Sequence, residues 1–360
     1  MTEQKKKARE PLFHIVKRAE LPLFQAWGIR VLAVLAALIL NALILMILTG
    51  QNPLAIYGSM FSGAFGTARR IWNLFQALAM LLMVSLAVTP AFKMRFWNIG
   101  AEGQVLVGGL ATAAVMFYFG GKMPTWLLFV TMTAASVLAG IVWAVIPAVF
   151  RAKWKINETL FTLMMNYIAI QLVSFFINTW VTSGSGTLSP MSEYGFPKVG
   201  PSAYFLNIMI VLVFTVVMYI YLRFTKHGYE IAVVGESEKT AMYIGVNVKK
   251  VVVRTMVLSG ALCGVAGLLL VGGTSHTIST STAGGRGFTA IIVSWLAKFD
   301  PLYMILTAFL VVFLQAGSAQ IVTDFRIDSA ISDIVTAVIL FFIIGCEFFI
   351  NYRITRSERG

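Results

Sequence analysis

Several polar residues lie inside long apolar stretches of this chain, where side chains of these types could line a pathway or bond across helices. They are Asn98, Glu102 and Gln104 in FWNIGAEGQVLVGG, and Asn166 in TLMMNYIA. Ionisable and amide groups at membrane depth are costly, so they usually face a cavity or a partner group. A structural role competes with a pathway role, because Asn98 could cap a helix and place Glu102 in its first turn. For Asn166, packing against another helix and a place in a pathway are equally open.

No catalytic signature accompanies these residues. The sequence contains no G-x-x-x-x-G-K-[ST] phosphate loop, no H-E-x-x-H and no Cys-x-x-Cys pair. The three histidines, His14, His227 and His276, fall in separate loops or tails, which gives no basis for a metal site. We therefore expect no catalytic residue, no bound metal and no cofactor in this chain, and an enzyme is disfavoured.

The composition predicts an all-α, polytopic membrane protein. Of 360 residues, 58% are hydrophobic and only 12% are charged, about half the charged fraction of a soluble domain. Several continuous apolar runs reach the roughly 20 residues that a helix needs to cross a bilayer, whereas a barrel would show alternating strands. The formal net charge of +13 comes from basic residues at the ends of these runs. That placement favours the positive-inside pattern over nucleic-acid binding.

The apolar runs predict about ten membrane segments, including broken or half-spanning ones, with both termini in the cytoplasm. FTAIIVSWLAKFDP is the shortest and is predicted to be a half-span. Arg69 and Arg70 fall on the outer side of this topology, against the charge rule.

One transmembrane domain accounts for most of the chain. We predict a basic cytoplasmic segment over residues 1–26, a single transmembrane domain over 27–350 and a cytoplasmic tail over 351–360. Within the domain, the Ser-, Gly- and Pro-rich residues 183–202 are predicted to form an extracellular loop. The charged residues 224–251 are predicted to form a cytoplasmic loop, called the coupling segment below.

The coupling segment contains signals for one short helix. In VVGESEKTAMYIGVNV, Ser237 can cap a helix from about Glu238 to Ile244, and Gly245 can end it in a left-handed conformation. Ala241 is predicted on the exposed face of this helix, where a small side chain permits close approach. A short helix between two glycines suits docking in a groove of a cytoplasmic partner, although an ordinary amphipathic connector would have a similar sequence.

Small residues in the following span predict close helix packing. Gly260 and Gly264 in GALCG form a small-xxx-small pattern, which lets two helix backbones approach. Cys263 and Cys346 lie far apart within apolar stretches, so we interpret them as small buried residues rather than a disulfide pair.

The coupling segment and the span after it resemble a known family. GYEIAVVGESEKTAMYIGVNVKKVVVRTMVLSGALCGVAGLLL is similar to the coupling loop and next helix of ATP-binding-cassette importer permeases of the branched-chain amino acid and ribose type. The family pattern resembles G-x-x-[IL]-R-A-V-G-E-N-x-x-A-A-x-x-x-G-I-N-V. The positions that match it are Gly228, Val234, Gly235, Glu236, Ala241, Gly245, Asn247 and Val248. Ala232-Val233 replaces the usual Arg-Ala, and Ser237 replaces Asn.

Three further segments resemble the nucleoside-importing branch of that family, which works with a basic-membrane-protein-type binding lipoprotein. NIGAEGQ, from Asn98 to Gln104, resembles its hallmark. NETLFTLMMNYIA resembles N-E-x-x-x-T-L-M-x-N-Y-I-A, and GRGFTAIIVSWLAKFDP resembles G-x-G-F-T-A-I-A-V-A-L-L-G. In the last segment Ala297-Lys298 replaces the usual small end. The resemblance extends from about Pro53 to Phe349.

The resemblance implies a permease subunit of a multi-component importer in a bacterial cell membrane, surrounded by lipid. It implies a second homologous permease subunit, an extracellular binding lipoprotein at loops such as 183–202, and a cytoplasmic ATPase that alone holds ATP and Mg²⁺. It implies a nucleoside as the substrate and no nucleic acid. The ATPase would dock on Gly235, Glu236, Ser237, Ala241 and Gly245. The pathway candidates are Asn98, Glu102, Gln104, Asn166 and Phe288.

Three alternatives stay open from the sequence. The same machine could import a simple sugar such as ribose or galactose. A stand-alone secondary transporter could use Glu102 as a proton site. A membrane scaffold without transport is the third alternative.

Overall fold

The computed structural model describes residues 13–18, 22–181 and 188–356. Residues 1–12 and 19–21 of the predicted N-terminal segment, residues 183–187 of the predicted extracellular loop and residues 357–360 of the tail lie outside the described part. The described chain contains thirteen α-helices and one pair of short strands. Helices dominate because long apolar runs satisfy their backbone groups internally only in this form.

The helices follow one another with short connections. Their bounds are α1 Leu23–Thr49, α2 Pro53–Phe65, α3 Ala68–Lys93, α4 Ala101–Phe119, α5 Thr125–Trp154, α6 Glu158–Trp180, α7 Phe205–Phe224, α8 Lys226–Glu236, α9 Glu238–Tyr243, α10 Val248–Leu270, α11 Arg286–Leu296, α12 Pro301–Phe325 and α13 Ser329–Asn351. A π-helical turn over Val271–Ser275 extends α10.

Nine helices within the described residues are long and apolar enough to cross a membrane. The tenth apolar helix, α11, has only 11 residues. The predictions of an all-α polytopic protein with about ten segments, and of a half-span at FTAIIVSWLAKFDP, agree with this arrangement.

The chain divides into two compact units, with the boundary inside α12. The first unit comprises residues 1–66 and 314–360. In it, α1 packs against α13, and the Arg30 guanidinium binds the Glu347 carboxylate at 2.7 Å. Strand β1, Phe13–Lys17, pairs antiparallel with β2, Tyr352–Arg356. This pairing brings the two terminal segments together. That they lie in the cytoplasm stays a prediction.

The second unit, residues 67–313, has its core at α3, α4 and α10. These helices are apolar around most of their circumference and are largely buried, as expected for central helices. Helix α5 packs along α10 where glycines face each other: a methyl group on Gly260 would lie 2.4 Å from the Gly140 carbonyl oxygen. At Gly264, the Ser136 hydroxyl donates to the glycine carbonyl at 2.5 Å. The GALCG pattern therefore lies at a close helix–helix contact.

Candidate functional site

The turn between α3 and α4 is held by an amide pair. Asn98 Oδ1 accepts a hydrogen bond from Gln104 Nε2 at 3.1 Å and from the Gly100 backbone N–H at 3.1 Å. Asn98 Nδ2 donates to the Ser259 hydroxyl of α10 at 3.2 Å. Asn98 is fully buried. The N-cap residue of α4 is Gly100 rather than Asn98, and Asn98 accepts a hydrogen bond from the N–H of that residue.

Glu102 lies in the first turn of α4, as predicted, but its carboxylate serves a different helix. Oε1 accepts from the Gly285 N–H and Oε2 from the Gly287 N–H, each at 2.7 Å. These donors belong to the start of α11, where the first N–H groups of a helix lack partners within the helix. Glu102 therefore lies in the first turn of α4, as predicted, and its carboxylate also caps the start of α11.

Glycine at residue 287 is required for this contact. A methyl group there would lie 2.4 Å from the Glu102 backbone nitrogen, a distance that real Cβ atoms do not adopt. Gly285 begins α11 in the left-handed region, at φ 73°, which glycine adopts without strain. The two glycines of GRGF thus let the carboxylate reach both N–H groups.

Asn166 of α6 completes the cluster by bonding across to α4. Its Oδ1 accepts from the Gly103 N–H and its Nδ2 donates to the Ile99 carbonyl, both at 2.8 Å. The neighbouring Thr162 hydroxyl accepts from the Ile99 N–H at 3.2 Å. Of the two interpretations left open for Asn166, the structure shows the cross-helix bond.

We call the set of Asn98, Glu102, Gln104 and Asn166, with the backbone they bind, the helix junction. All four side chains are buried, so in this structure they hold α4, α6, α10 and α11 together. Phe288 follows Gly287 directly, and 44% of its surface is exposed. Whether the four polar residues also line a pathway stays a prediction.

A second polar network was not anticipated from the sequence. Gln76 of α3 donates to the Thr274 hydroxyl at 2.5 Å, and Asn207 of α7 donates to the same oxygen at 3.1 Å. Thr274 lies in the π-helical turn, a feature often found at functional sites. The sequence feature that could have predicted this network is the presence of amide side chains, Gln76 and Asn207, within apolar runs.

The coupling segment folds as two short helices, α8 and α9. The Ser237 hydroxyl accepts from the Thr240 N–H at 3.2 Å, and Gly245 follows the end of α9 in the left-handed region, at φ 86°. Helix α9 ends at Tyr243, one residue before the predicted end. Gly235 packs on the end of α3, since a methyl group there would lie 2.1 Å from the Lys93 carbonyl oxygen.

The orientation of α9 corrects one expectation. Ala241 is fully buried rather than exposed, because α9 turns this face inwards. The next three residues, Met242, Tyr243 and Ile244, are exposed, and Tyr243 is 93% exposed. Glu238, Lys239 and Thr240 at the start of α9 are exposed as well. Glu236 is exposed on α8 beside them. The end of α9 therefore exposes apolar and aromatic side chains one to three residues after Ala241, and its start exposes charged ones.

A metal site is not formed among the described residues. No group of three or more His, Cys, Asp and Glu side chains lies close enough there to hold an ion.

Comparison with known proteins identifies the family. Residues 70–344 match the family described as branched-chain amino acid transport system, permease component, and the chain belongs to this family. It is 28% identical to a glucose ABC transporter permease protein of Haloferax volcanii, over 94% of this chain and 92% of the relative. It is 29% identical to a guanosine ABC transporter permease protein of Bacillus subtilis, over 87% and 91%. It is 27% identical to a nucleoside ABC transporter permease protein of Lactococcus lactis, over 91% and 93%.

These findings establish the class. The chain is a multi-pass membrane permease subunit of an ABC transporter, a transport component rather than an enzyme. The family implies an ATPase subunit and a substrate-binding protein as partners.

Proposed function

We propose that this chain forms half of the translocation pathway of an ATP-driven importer that takes up nucleosides into a bacterial cell. The observation that carries the proposal is the helix junction. The three segments that resemble the nucleoside branch lie far apart in sequence, yet hydrogen bonds join them: Glu102 to Gly285 and Gly287, and Asn166 to Gly103. Two of the relatives above, the guanosine and nucleoside permeases, support the same substrate class.

The junction has a specific role in this proposal. An uncharged nucleoside needs hydrogen-bond partners and a stacking surface rather than an ion pair. Phe288 offers an exposed ring directly after Gly287, whose N–H is bound by Glu102. We infer that Asn98, Glu102, Gln104 and Asn166 form the wall that fixes the start of α11, and that Phe288 faces the pathway.

The partners follow from the same proposal. A second, homologous permease subunit would form the other half of the pathway as a heterodimer. The ATPase, which binds ATP and Mg²⁺, would dock on the coupling segment through Met242, Tyr243 and Ile244. The extracellular lipoprotein would deliver substrate to loops around residues 183–202.

A sugar importer is the second candidate, and a specific observation favours it: the glucose permease relative is 28% identical over 94% of this chain. A proton-coupled carrier using Glu102 is less well supported. Both carboxylate oxygens already accept backbone N–H groups at the start of α11, so the side chain has a structural role.

The test is uptake by the complete transporter. The four proteins are reconstituted in proteoliposomes and supplied with radiolabelled guanosine, uridine, ribose or glucose. We expect ATP-dependent uptake of a nucleoside, and we expect a tenfold excess of unlabelled glucose not to reduce that uptake. Uptake of glucose or ribose without nucleoside uptake would establish the second candidate, and nucleoside uptake that persists with a hydrolysis-deficient ATPase would contradict the importer itself.

A further inference from the structure

Two adjoining cavities open in the unit 67–313, beside α8. They measure about 390 and about 400 Å³ and share Lys93, Ala232 and Phe299 as lining residues. Each falls within the volume range of small-molecule sites, about 300–1,000 Å³. Because they share three lining residues, the two cavities adjoin closely enough to hold two parts of one ligand.

The first cavity is aromatic. It is lined by the rings of Phe92, Trp97, Trp295 and Phe299. The Trp97 and Trp295 ring centroids are 5.5 Å apart with the planes tilted by 36°, and the two residues are 43% and 52% exposed. Exposed indole faces of this kind stack on planar aromatic ligands.

The second cavity is cationic. It is lined by Lys93, Arg223 and Lys298, with Asp300 as its acidic residue. Arg95 and Glu236 line the first cavity beside Lys93. Across both cavities four basic side chains face two acidic ones, an excess of two positive charges that matches the charge of about −1.5 to −2 on a phosphate monoester at neutral pH.

The backbone at this site is unusual. Arg95, Lys298 and Phe299 adopt φ of 59°, 52° and 62°, a region that non-glycine residues rarely occupy. All three line the cavities, and Lys298 belongs to the Ala297-Lys298 pair that replaced the usual small end of its segment. Glycine would adopt this backbone conformation without strain, yet basic and aromatic residues occupy these positions. Backbone strain of this kind is found more often at ligand sites than elsewhere.

The cavities open at the basic end of the unit. Lys93, Arg95 and Lys298 lie at this end together with the coupling segment. By the positive-inside rule this end faces the cytoplasm.

We propose that the two cavities form one cytoplasmic binding site for a nucleoside monophosphate. The base stacks against Trp97 and Trp295 in the aromatic cavity, and the phosphate binds Lys93 and Lys298 in the cationic cavity. The inference goes beyond the proposed function, because it holds whether the transported substrate is a nucleoside or a sugar.

The test is ligand binding to the whole transporter in lipid nanodiscs, measured by calorimetry. The probes are adenosine monophosphate, adenosine and inorganic phosphate, in discs of phosphatidylcholine and in discs containing phosphatidylglycerol. We expect adenosine monophosphate to bind at least tenfold more tightly than adenosine or phosphate, in both kinds of disc. Lys298→Ala and Trp295→Leu are each expected to weaken its binding at least tenfold.

Lys155→Ala is the matched control. Lys155 is also a basic residue with a left-handed backbone after a helix, at φ 54°, but it does not line either cavity, so binding is expected to be unchanged. If a variant fails to fold, the probes are compared on the unaltered protein with the ATPase saturated by ATP and Mg²⁺, and binding of adenosine monophosphate that is lost under this condition would overturn the proposal.

Four further results would overturn the proposal. Equal affinity for adenosine and adenosine monophosphate would show that the basic side chains do not bind the phosphate. Equal affinity for phosphate and adenosine monophosphate would show that the aromatic rings do not bind the base. Binding that disappears when phosphatidylglycerol is added would assign the cationic cavity to a lipid headgroup. Absence of adenosine monophosphate binding in both kinds of disc would also overturn the proposal.

Discussion

The helix junction and the coupling segment are both polar, glycine-rich interruptions of an apolar chain, yet the structure uses them in opposite ways. In the junction the polar side chains turn inwards and bond the backbone of neighbouring helices. In the coupling segment a small apolar residue, Ala241, turns inwards, and the larger apolar residues, Met242 and Tyr243, turn outwards.

The two regions differ because one is buried and the other reaches water. Where a backbone turn is buried, its unsatisfied N–H and C=O groups must find partners, so polar side chains are needed close by. Where a turn reaches water, solvent satisfies the backbone, so exposed apolar side chains require another explanation, such as a partner surface. We expect changes in the junction to lower stability and changes in the coupling segment to lower docking.

The largest effect is expected for Glu102→Ala. It leaves the buried Gly287 N–H and the partly buried Gly285 N–H at the start of α11 without an acceptor, and a buried unsatisfied donor costs about 1–3 kcal/mol. The melting temperature and the yield of monodisperse protein should both fall sharply. Glu193→Ala, at an exposed position, is the control and should change neither. An unchanged melting temperature for Glu102→Ala would show that the cap to α11 is dispensable.

Glu102→Gln tests the same contact more finely. The glutamine amide keeps one oxygen that can accept from an N–H group, but its NH₂ group would face the other N–H group, and two donors cannot bond each other. We expect an intermediate loss of stability and an uptake rate whose pH dependence is that of the unaltered protein. A pH dependence that changes with this substitution would favour the proton carrier.

Gly260→Ala is expected to have the next largest effect. Its methyl group would lie 2.4 Å from the Gly140 carbonyl oxygen, and overpacking of this kind costs about 1–3 kcal/mol. Thermal unfolding should show a melting temperature lower by several degrees. Gly345→Ala is the control, since a methyl group there meets nothing within 4 Å among the described residues. Equal melting temperatures for the two variants would contradict the close α5–α10 contact.

Tyr243→Asp should separate docking from stability. The side chain is almost fully exposed, so the melting temperature should be unchanged, while the amount of co-purified ATPase falls about tenfold, which corresponds to about 1.4 kcal/mol. Val199→Asp, at an exposed apolar residue between α6 and α7 and outside the membrane helices, is the control. Normal co-purification with Tyr243→Asp would place the ATPase elsewhere. Ala241→Arg is expected to disturb α9 itself as well as docking, because Ala241 is buried.

The smallest effect is expected for Ser237→Ala. It removes the hydroxyl that caps α9, which is worth about 1 kcal/mol. Because α9 is short, the loss stays local and should appear as a modest decrease in transport at normal protein yield. Ser192→Ala, at an exposed serine, should leave transport unchanged. A global loss of melting temperature from Ser237→Ala would show that α9 belongs to the core.

Several features of this protein were determined by local sequence alone. Apolar runs of sufficient length defined the membrane helices, because a chain in lipid must satisfy its backbone within each segment. Ser237 and Gly245 marked the ends of α9 to within two residues, because capping depends on neighbours in sequence. The family resemblance likewise rested on short contiguous motifs.

Other features were decided only by the tertiary structure. The acceptor role of Glu102 depends on N–H groups 183 and 185 residues away, and no local pattern specifies which helix start a carboxylate will meet. Ala241 is buried because of how α9 packs on the neighbouring helices, and the sequence of α9 alone does not specify which of its faces is buried. The aromatic and cationic cavities likewise combine side chains from α3, α8 and α11, which only the folded chain brings together. The sequence determines helices through short-range hydrogen bonds and hydrophobicity, whereas contacts between helices depend on long-range packing that a single sequence does not encode locally.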